Sequence, residues 1–418
     1  MSPTPRLAAL VAVAALAAIV VPAALAILAL AAIAGALVVD ARAAREAPAV
    51  ERRLPPLFVR GRAASVEAAV TSRAPERVLL RQAATPALEV HPREGSGELH
   101  ADVVARRRGR HELPRLAARS EGPLGLARWY RTVAPAEEVE VFPDVPNARR
   151  LALAVRAGRF AEYAGRSPGP LGLGTDFESI RQYVPDDDIR RVNWRATART
   201  GRPMSNQYRI EQEREIVCLI DCGRLMAAPS GAPHGADRLD TALDAAIAVG
   251  LVADVLGDRF GAIAFDSEVR AILRPRRRGG EVTVRALFDL RPRPIDSDFE
   301  LAMRHVSGSK RALVLVMTDF LDEIAARSLV DAVPALARRH AVVVASVRDP
   351  DLDALLTTPP AAAADVYATI GALDVVHGRE RAAALVRHAG ATVIDAAPAA
   401  LPEACVRAYL RSKSRARL

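Results

Sequence analysis

Four aspartates directly follow short apolar segments in the second half of the chain. They are Asp221 after VCLI, Asp266 after AIAF, Asp319 after LVLVMT and Asp395 after TVI. These segments have the length and composition of buried parallel strands, and in open α/β sheets ligands bind outside the carboxyl ends of the strands. Carboxylates gathered there repel one another unless a cation or an arginine compensates them. The pattern predicts a site at this edge, with Mg²⁺ as the candidate ion because it prefers oxygen ligands.

The four aspartates are not equivalent in this interpretation. Asp221 and Asp319 are the candidate ligands. Asp266 and Asp395 are interpreted instead as residues that cap a helix or end a strand. Asp244 and Asp254, on the predicted helix after the first strand, are expected to be solvated.

The stretch that delivers Asp221 runs from Gly172 to Met226 and concentrates charge. Pro185 followed by three aspartates, 186–188, predicts a turn that leads into a basic helix over Ile189–Arg199. Acidic residues in the first turn of a helix stabilise it by about 0.3–1 kcal/mol each. The tryptophan on this helix, Trp194, is expected to be a packing anchor.

From Glu215 onward, short apolar segments alternate with amphipathic ones, which predicts an α/β domain with a mainly parallel, doubly wound sheet over 213–418. The predicted strands are 215–220, 260–265, 311–317, 341–347 and 392–394. The predicted helices are 240–256, 281–290, 298–306, 326–339, 377–388 and 402–413.

Residues 51–150 differ, because short β-compatible runs are interrupted throughout by proline and glycine. This predicts a small β-sandwich-like domain, with strands at 64–70, 77–81, 98–106 and 139–142. The arginine run 106–110 is interpreted as a solvated strand end and turn; the alternative is a patch for polyanions or acidic lipid headgroups. Residues 151–212 then form a linker to the α/β domain.

The first 45 residues predict a membrane anchor. Leu7–Val39 carries no charge and is too long for one helix across a hydrocarbon core of about 30 Å. Pro22 divides it, so two transmembrane helices are expected at about 8–21 and 24–39. Arginines on both flanks place both ends in the cytoplasm, which predicts a multi-pass protein of the cell (inner) membrane with most of its chain cytoplasmic. A cleaved signal peptide and a single tilted span are the alternatives.

Composition limits the function classes. The net charge is +9, but the arginines are spread along the chain without a dedicated nucleic-acid arm. Three cysteines without framework spacing indicate a reducing compartment, and the scattered histidines do not indicate zinc. The glycine-rich segment 165–174 lacks the residues of a phosphate loop, and no serine lies in a nucleophile elbow. No small-molecule substrate or catalytic residue is therefore predicted.

Three segments together resemble the von Willebrand factor A-type domain: DCGRLM from Asp221, GDRFGAIAFD over 257–266 and VLVMTD ending at Asp319. The metal site of that family combines an Asp-x-Ser-x-Ser loop with a later threonine and a second aspartate. Asp221 and Asp319 match its aspartates, and Ser297 could stand in for the threonine. Gly223 and Leu225 occupy the two hydroxyl positions, so both hydroxyl ligands are missing.

The central stretch is similar to the signature of the "domain of unknown function 58" family. The matching residues include Arg181, Tyr183, Pro185, Asp187, Arg190, Asn193, Trp194 and Arg199. The resemblance implies a membrane-anchored bacterial protein whose A-type domain works with a MoxR-type AAA+ ATPase in the assembly or maturation of other proteins or envelope complexes. The opposite charges of the central stretch are consistent with a clamp between the β-rich half and the α/β half, and equally with a surface on which a partner docks.

Three functions stay open on the sequence. The first is this non-enzymatic adaptor. The second is a metal-dependent hydrolase that uses Asp221 and Asp319, and the third is a binder of anionic lipid or envelope that uses the arginine-rich β half.

Overall fold

The computed structural model describes residues 2–72, 77–160, 171–184, 187, 192–209, 214–306 and 311–414, and the side chains of these apart from 171–179 and 207–209. The chain forms two compact units. The first is Met1–Asp144 with Pro233–Gly235, and the second is Val145–Ala232 with Ala236–Leu418. Each unit is described by itself.

Two apolar helices open the first unit, α1 (Pro5–Ala17) and α2 (Ala23–Ala44). Thr4 caps α1 through its side chain, Pro5 sits in the first turn, and Pro22 is the N-cap of α2. The predicted break at Pro22 is therefore present, although both helices have other ends than predicted. Only α2 is long and apolar enough to cross a membrane among the described helices, since α1 has 13 residues and a length of about 20 Å.

Both ends of this helix pair are fixed to the same loop. The Asp40 carboxylate, fully buried near the end of α2, accepts hydrogen bonds from the backbone N–H groups of Leu124 (2.6 Å), Leu126 (2.6 Å) and Ala127 (2.8 Å). At the other end, the Thr4 hydroxyl donates to the Gly125 carbonyl at 2.6 Å. The start of α1 and the end of α2 therefore lie side by side, as the two ends of a helical hairpin do.

Removing the Asp40 carboxylate is expected to loosen this loop, because the buried N–H groups of Leu126 and Ala127 lose their acceptor at about 1–3 kcal/mol each. The partly buried N–H of Leu124 loses its acceptor as well. In Asp40→Ala, hydrogen exchange at the amides of Leu124, Leu126 and Ala127 should accelerate at least tenfold. Glu46→Ala, an exposed acidic residue just beyond α2, is the control. Exchange that is equally slow in both variants would contradict the anchoring role.

The rest of the first unit is β-rich. Its strands are β1 (Ser2–Pro3), β2 (Val50–Arg53), β3 (Phe58–Val59), β4 (Ala63–Val70), β5 (Val78–Gln82), β6 (Leu88–His91), β7 (Glu94–Ser96), β8 (Glu98–Ala105), β9 (Gly109–Leu113), β10 (Leu116–Glu121), β11 (Ala127–Ala134) and β12 (Glu137–Phe142). They form sheets in the orders β1-β11-β10-β5-β7, β2-β4-β8-β6 and β3-β12-β9.

Strand β8 shows why this segment is extended. Leu99, Ala101 and Val103 are buried, whereas the residues between them, His100 and Asp102, are exposed. This alternation matches the two-residue period of a strand with one face in the core. The arginine run begins in the turn that follows, so its interpretation as a strand end and turn is confirmed for Arg106 and Arg107, whereas Arg108 is fully buried.

The second unit is mixed α/β. Its helices are α3 (Val145–Arg156), α4 (Trp194–Thr200), α5 (Arg238–Val255), α6 (Gly279–Leu287), α7 (Phe299–Arg304), α8 (Glu323–Ala337), α9 (Pro350–Thr357), α10 (Ala363–His388) and α11 (Leu401–Ser414). Its strands are β13 (Leu171–Gln182), β14 (Met204–Arg209), β15 (Glu215–Asp221), β16 (Arg259–Phe265), β17 (Val269–Arg276), β18 (Ala312–Met317), β19 (Ala341–Val347) and β20 (Thr392–Ala396).

The central sheet has six strands in the order β17-β16-β15-β18-β19-β20. All neighbours pair in parallel except β16 and β17, which confirms the predicted α/β class with a mainly parallel sheet. Strand β17 was not predicted. Only residues 266–268 connect it to β16, and so short a connection permits an antiparallel pair but not a crossover.

Helix α5 is the central packing element of this unit, and nearly all of its residues are buried. A capping box between Asp237 and Asp240 starts it. Near its end, the Asp254 carboxylate accepts hydrogen bonds from the N–H groups of Gly280 and Glu281 at 3.1 Å each, so it caps α6. The prediction that Asp254 is simply solvated is therefore wrong.

Candidate functional site

The carboxyl edge of the central sheet brings the predicted aspartates together. Asp221 is the last residue of β15, Asp266 follows β16, and Asp319 follows β18 after one threonine. Asp395 lies within β20 rather than after it. Because β15, β16, β18 and β20 run in parallel through the sheet, these carboxylates meet at one edge.

Asp221 is almost fully buried, at 3% exposure, and receives three hydrogen bonds. The Ser297 hydroxyl and the backbone N–H of Gly223 (2.7 Å) donate to Oδ1, and the Thr318 hydroxyl donates to Oδ2 at 2.6 Å. The structure therefore places Ser297 and Thr318 beside Asp221, and the sequence pattern does not identify Thr318 as a partner. Both carboxylate oxygens of Asp221 have donors from the chain itself.

Burial raises the pKa of the Asp221 carboxyl above its usual value, and the hydrogen bonds from Ser297, Thr318 and Gly223 oppose that shift only in part. A carboxyl with a raised pKa in the folded state contributes most to stability below the unfolded pKa of about 4. That contribution is lost as the pH rises through the folded pKa.

The stability of the wild-type protein relative to Asp221→Asn should therefore fall as the pH rises from about 4 to 7. The wild type should lose about 1.4 kcal/mol of unfolding free energy for each unit by which the pKa of Asp221 is raised. The variant should show no such loss, because asparagine does not titrate. Denaturant unfolding of both proteins across this range measures the difference. A difference that is constant with pH, or that grows, would contradict the assignment.

Gly223 leaves no room for a side chain beside Asp221. A Cβ added there would lie 2.2 Å from the Ser297 hydroxyl and 2.8 Å from the Ile295 carbonyl oxygen, well inside van der Waals contact. The glycine at this hydroxyl position is therefore part of the packing of the site. Its neighbour Arg224 points outward and pairs with exposed Asp296.

Two arginines hold Asp319. The Arg379 guanidinium donates to Asp319 Oδ1 at 2.7 Å, and the Arg238 guanidinium forms an ion pair with Oδ2. Asp319, Arg238 and Arg379 are all buried, with exposures of 4%, 5% and 7%. Two positive groups thus surround this carboxylate.

Further contacts fix both guanidinium groups. Arg379 also donates to the carbonyl oxygens of Val347 (3.0 Å) and Phe320 (3.2 Å) and to Asp395 Oδ1 (3.3 Å). Arg238 lies 3.4 Å from Asp349 Oδ2. Burial lowers the pKa of Arg238, with the charge of Arg379 as the next cause, but an arginine keeps its proton throughout the working pH range.

The arrangement does not fit Mg²⁺. That ion requires near-octahedral oxygen coordination, whereas nitrogen donors hold Asp319 and hydroxyl donors hold Asp221. Within the described residues, no three histidine, cysteine, aspartate or glutamate side chains are grouped so as to hold a metal. The charge that a cation would compensate is compensated here by Arg238 and Arg379.

Asp266 has a separate role. Its Oδ1 accepts from the Glu268 backbone N–H and its Oδ2 accepts from Arg270, each at 3.0 Å. It therefore ends β16 and shapes the turn into β17, in agreement with its interpretation as a strand-ending residue. Asp395, in contrast, accepts from Ser346 at 3.1 Å and from Arg379, so it belongs to the arginine cluster.

The signature segment forms a β-hairpin of β13 and β14 with α4 between them. At the end of β13, Arg181 pairs with Asp187, whose Oδ2 accepts from the Val184 N–H at 3.0 Å. The Tyr183 hydroxyl donates to the Asp187 carbonyl at 3.1 Å. Asp187 therefore closes a turn rather than stabilising a helix start, which corrects the prediction. Pro185, Arg190 and the aspartates 186 and 188 lie outside the described residues.

The basic helix also differs from its prediction. Val192 forms a β-bridge with Ser205, so α4 begins after Asn193 and not at Ile189. Asn193 is the N-cap, and its Oδ1 accepts from the Ala196 N–H at 3.0 Å. Trp194 is 70% exposed, which contradicts its prediction as a packing anchor, and Arg199 is exposed as well.

Residues 179–367 match the model of a protein family described as "Protein of unknown function DUF58". The matched segment runs from the signature hairpin past Asp221, Arg238 and Asp319 to the first turn of α10, so Arg379 and Asp395 lie beyond it. Over this segment, which is slightly less than half of the chain, the protein is similar to the DUF58 family.

Curated proteins similar to this chain include uncharacterized protein Rv1480 of Mycobacterium tuberculosis and uncharacterized protein Mb1516 of Mycobacterium bovis. Each is 27% identical over 195 residues, which cover 45% of this chain and 59% of the relative. The chain thus matches about three-fifths of the length of these relatives.

The sequence located the aspartates and Ser297 but missed Thr318, Arg238 and Arg379. The position of Thr318 could have identified it as a site residue, because it immediately precedes Asp319 at the end of an apolar strand. No feature of the sequence could have identified Arg379, since it lies 60 positions from its carboxylate partner and the chain is rich in arginine throughout. The same abundance of arginine conceals Arg238.

Proposed function

We propose that this protein belongs to the DUF58 family and is a membrane-anchored, non-enzymatic interaction protein whose α/β unit binds other proteins. One observation carries the proposal: donors within the chain already hold both Asp221 and Asp319. A carboxylate that is fixed in this way is a structural group, and it is not available as a metal ligand or general base. The site then serves to hold rigid the loops at the carboxyl edge of the sheet.

The helical hairpin is the proposed anchor. Helix α2 is long and apolar enough to cross a bilayer, and large apolar side chains of the hairpin are strongly exposed, such as Val13 at 67%, Val20 at 87% and Leu28 at 67%. Because both ends of the hairpin are fixed to one loop, both emerge on the same side. Arg42 and Arg45 favour the cytoplasmic side, so we place most of the chain in the cytoplasm and both helices in the inner membrane.

The proposed partner is a MoxR-type AAA+ ATPase, as the family resemblance implies. The parallel sheet with two aspartates at its carboxyl edge supports a von Willebrand factor A-like domain, whose ligands bind at that edge. Exposed charged residues surround the edge here, among them Arg224, Asp296 and Arg348. Charged residues at the rim of an interface mainly control association rate and specificity.

Binding of the purified ATPase to the full chain in nanodiscs tests this function. We expect binding that depends on the nucleotide and that weakens about tenfold in Arg348→Glu, at the carboxyl edge. Arg339→Glu, at the opposite edge of the sheet, is the control for the charge change. Absence of binding with ATP, with ADP and without nucleotide would contradict the proposed partner.

The two alternatives have weaker support. In a hydrolase, Asp221 and Asp319 would have to act on a metal or a water molecule. They would first have to lose the hydrogen bonds and ion pairs that they now make with Ser297, Thr318, Arg238 and Arg379. A lipid surface would require free arginines in the run after β8, but Arg106 pairs with Glu89, Arg108 is buried, and Arg110 lies 3.9 Å from Glu138.

A further inference from the structure

Helix α9 and the first part of α10, up to Gly378, form an acidic hairpin in a basic protein. Residues 349–378 include no lysine or arginine, although the chain as a whole carries a net charge of +9. The segment contains five aspartates, at positions 349, 351, 353, 365 and 374. The two helices pack together, since the Thr369 hydroxyl donates to the Leu355 carbonyl at 3.5 Å.

The first half of α10 presents an apolar face to solvent. Val366, Ile370 and Leu373 are spaced as neighbours along one side of the helix and are 45%, 50% and 41% exposed. Tyr367 beside them is 75% exposed. Asp374 lies one turn beyond Ile370 and is exposed, so an acidic group adjoins the apolar stripe. Such a combination of exposed apolar and charged residues is typical of an interaction surface.

A surface of opposite charge lies on the same chain, around α4. Residues 192–209 contain four arginines and no acidic residue. Arg195 and Arg199 are one turn apart on α4 and both are exposed. Trp194 adds a large aromatic side chain that is 70% exposed. Tryptophan and arginine are the residue types that most often dominate binding energy at interfaces.

We propose that α4 of one copy docks on the acidic hairpin of a second copy of this chain. Trp194 packs on the stripe of Val366, Ile370 and Leu373, and the arginines of α4 face the aspartates around it. Two observations select a second copy as the occupant: the surfaces are complementary in charge, and each leaves its large apolar residues exposed.

This contact joins α4 of one copy to the acidic hairpin of another, so it is head-to-tail. A copy that has docked through one of these surfaces can still bind a further copy through the other, unless the copies close into a ring. Anchoring in a membrane would favour the contact by concentrating copies in one plane. The inference is independent of the proposed ATPase partner, because it requires only copies of this chain.

Site-specific photo-crosslinking of the full chain in its membrane tests the contact. Tyr367 is replaced with p-benzoylphenylalanine, and normal and isotopically heavy copies are co-expressed. We expect crosslinks from position 367 to residues 192–202, with pairs of mixed isotope composition that identify two copies. Crosslinks within one chain only, crosslinks to another protein, or no crosslink to this segment would each overturn the proposal.

Exchanging the charges of one acidic and one basic residue provides a second test of the contact. Asp374→Arg and Arg199→Asp are each expected to reduce the mixed-isotope product at least fivefold, and their combination should restore it above either single variant. Asp102→Arg, which changes an exposed aspartate on β8 by the same charge, should leave the yield unchanged. The product should also decrease at high salt. If the two single variants crosslink as well as Asp102→Arg does, α4 is not the occupant.

Discussion

Replacing Arg379 with methionine is expected to lower the free energy of unfolding by about 3–5 kcal/mol, the usual cost of removing one partner from a buried ion pair. Methionine retains much of the side-chain volume but leaves Asp319 with Arg238 alone. It also removes the donor to the Val347 and Phe320 carbonyls, which are otherwise bonded to the guanidinium. Denaturant unfolding of the full chain in detergent measures the change.

The matched control is Arg381→Met, two positions further along α10. Arg381 pairs with Glu323 on the surface, with 63% of its side chain exposed, and exposed pairs contribute about 1 kcal/mol or less. In Asp319→Asn combined with Arg379→Met, the loss should be clearly smaller than the sum of the single losses, because the two side chains are in contact. Equal effects of Arg379→Met and Arg381→Met would refute the buried cluster.

Gly223→Ser is expected to destabilise the protein by about 1–3 kcal/mol, the range for forcing extra atoms into a packed site. This change would supply a hydroxyl at a position where A-type metal sites have one. The added Cβ, however, would meet the Ile295 carbonyl, which belongs to the backbone and cannot turn away. The variant should therefore lose stability and gain no affinity for Mg²⁺.

Gly371→Ser on α10 is the control, because a Cβ there meets nothing within 4 Å. It should be neutral or slightly stabilising, since glycine is a poor helix former. A Gly223→Ser protein that is as stable as this control and binds Mg²⁺ would show that the site accepts a metal.

Most of the correct predictions about the α/β unit came from local sequence patterns. Continuous apolar strands such as 312–317 and 341–347 identified the parallel sheet, and the residue after each strand located the edge where Asp221 and Asp319 meet. The chemistry of that edge depends on Arg238 and Arg379, which approach from α5 and α10. Their contacts are set by helix packing and not by spacing in the sequence, so no local pattern could reveal them.

The errors of prediction also have physical causes. The sequence predicts a helix start at Asp187 because a proline and acidic residues precede a basic run, but the Asp187 carboxylate accepts hydrogen bonds from Arg181 and from a turn N–H. Trp194 was expected inside because tryptophan is usually packed, yet it lies on a short helix whose residues are not buried. Helix α10 is predicted from 377 only, although Val366, Ile370 and Leu373 in its first half already have helical spacing.

Calorimetric titration of the full chain in detergent with Mg²⁺ and with Mn²⁺ is the most direct test of the central claim, that Arg238 and Arg379 take the place of a metal ion at the aspartate edge. The claim predicts no saturable binding up to millimolar metal, and the same heats for the wild type and Asp221→Asn. Saturable binding by the wild type that is lost in Asp221→Asn would contradict it.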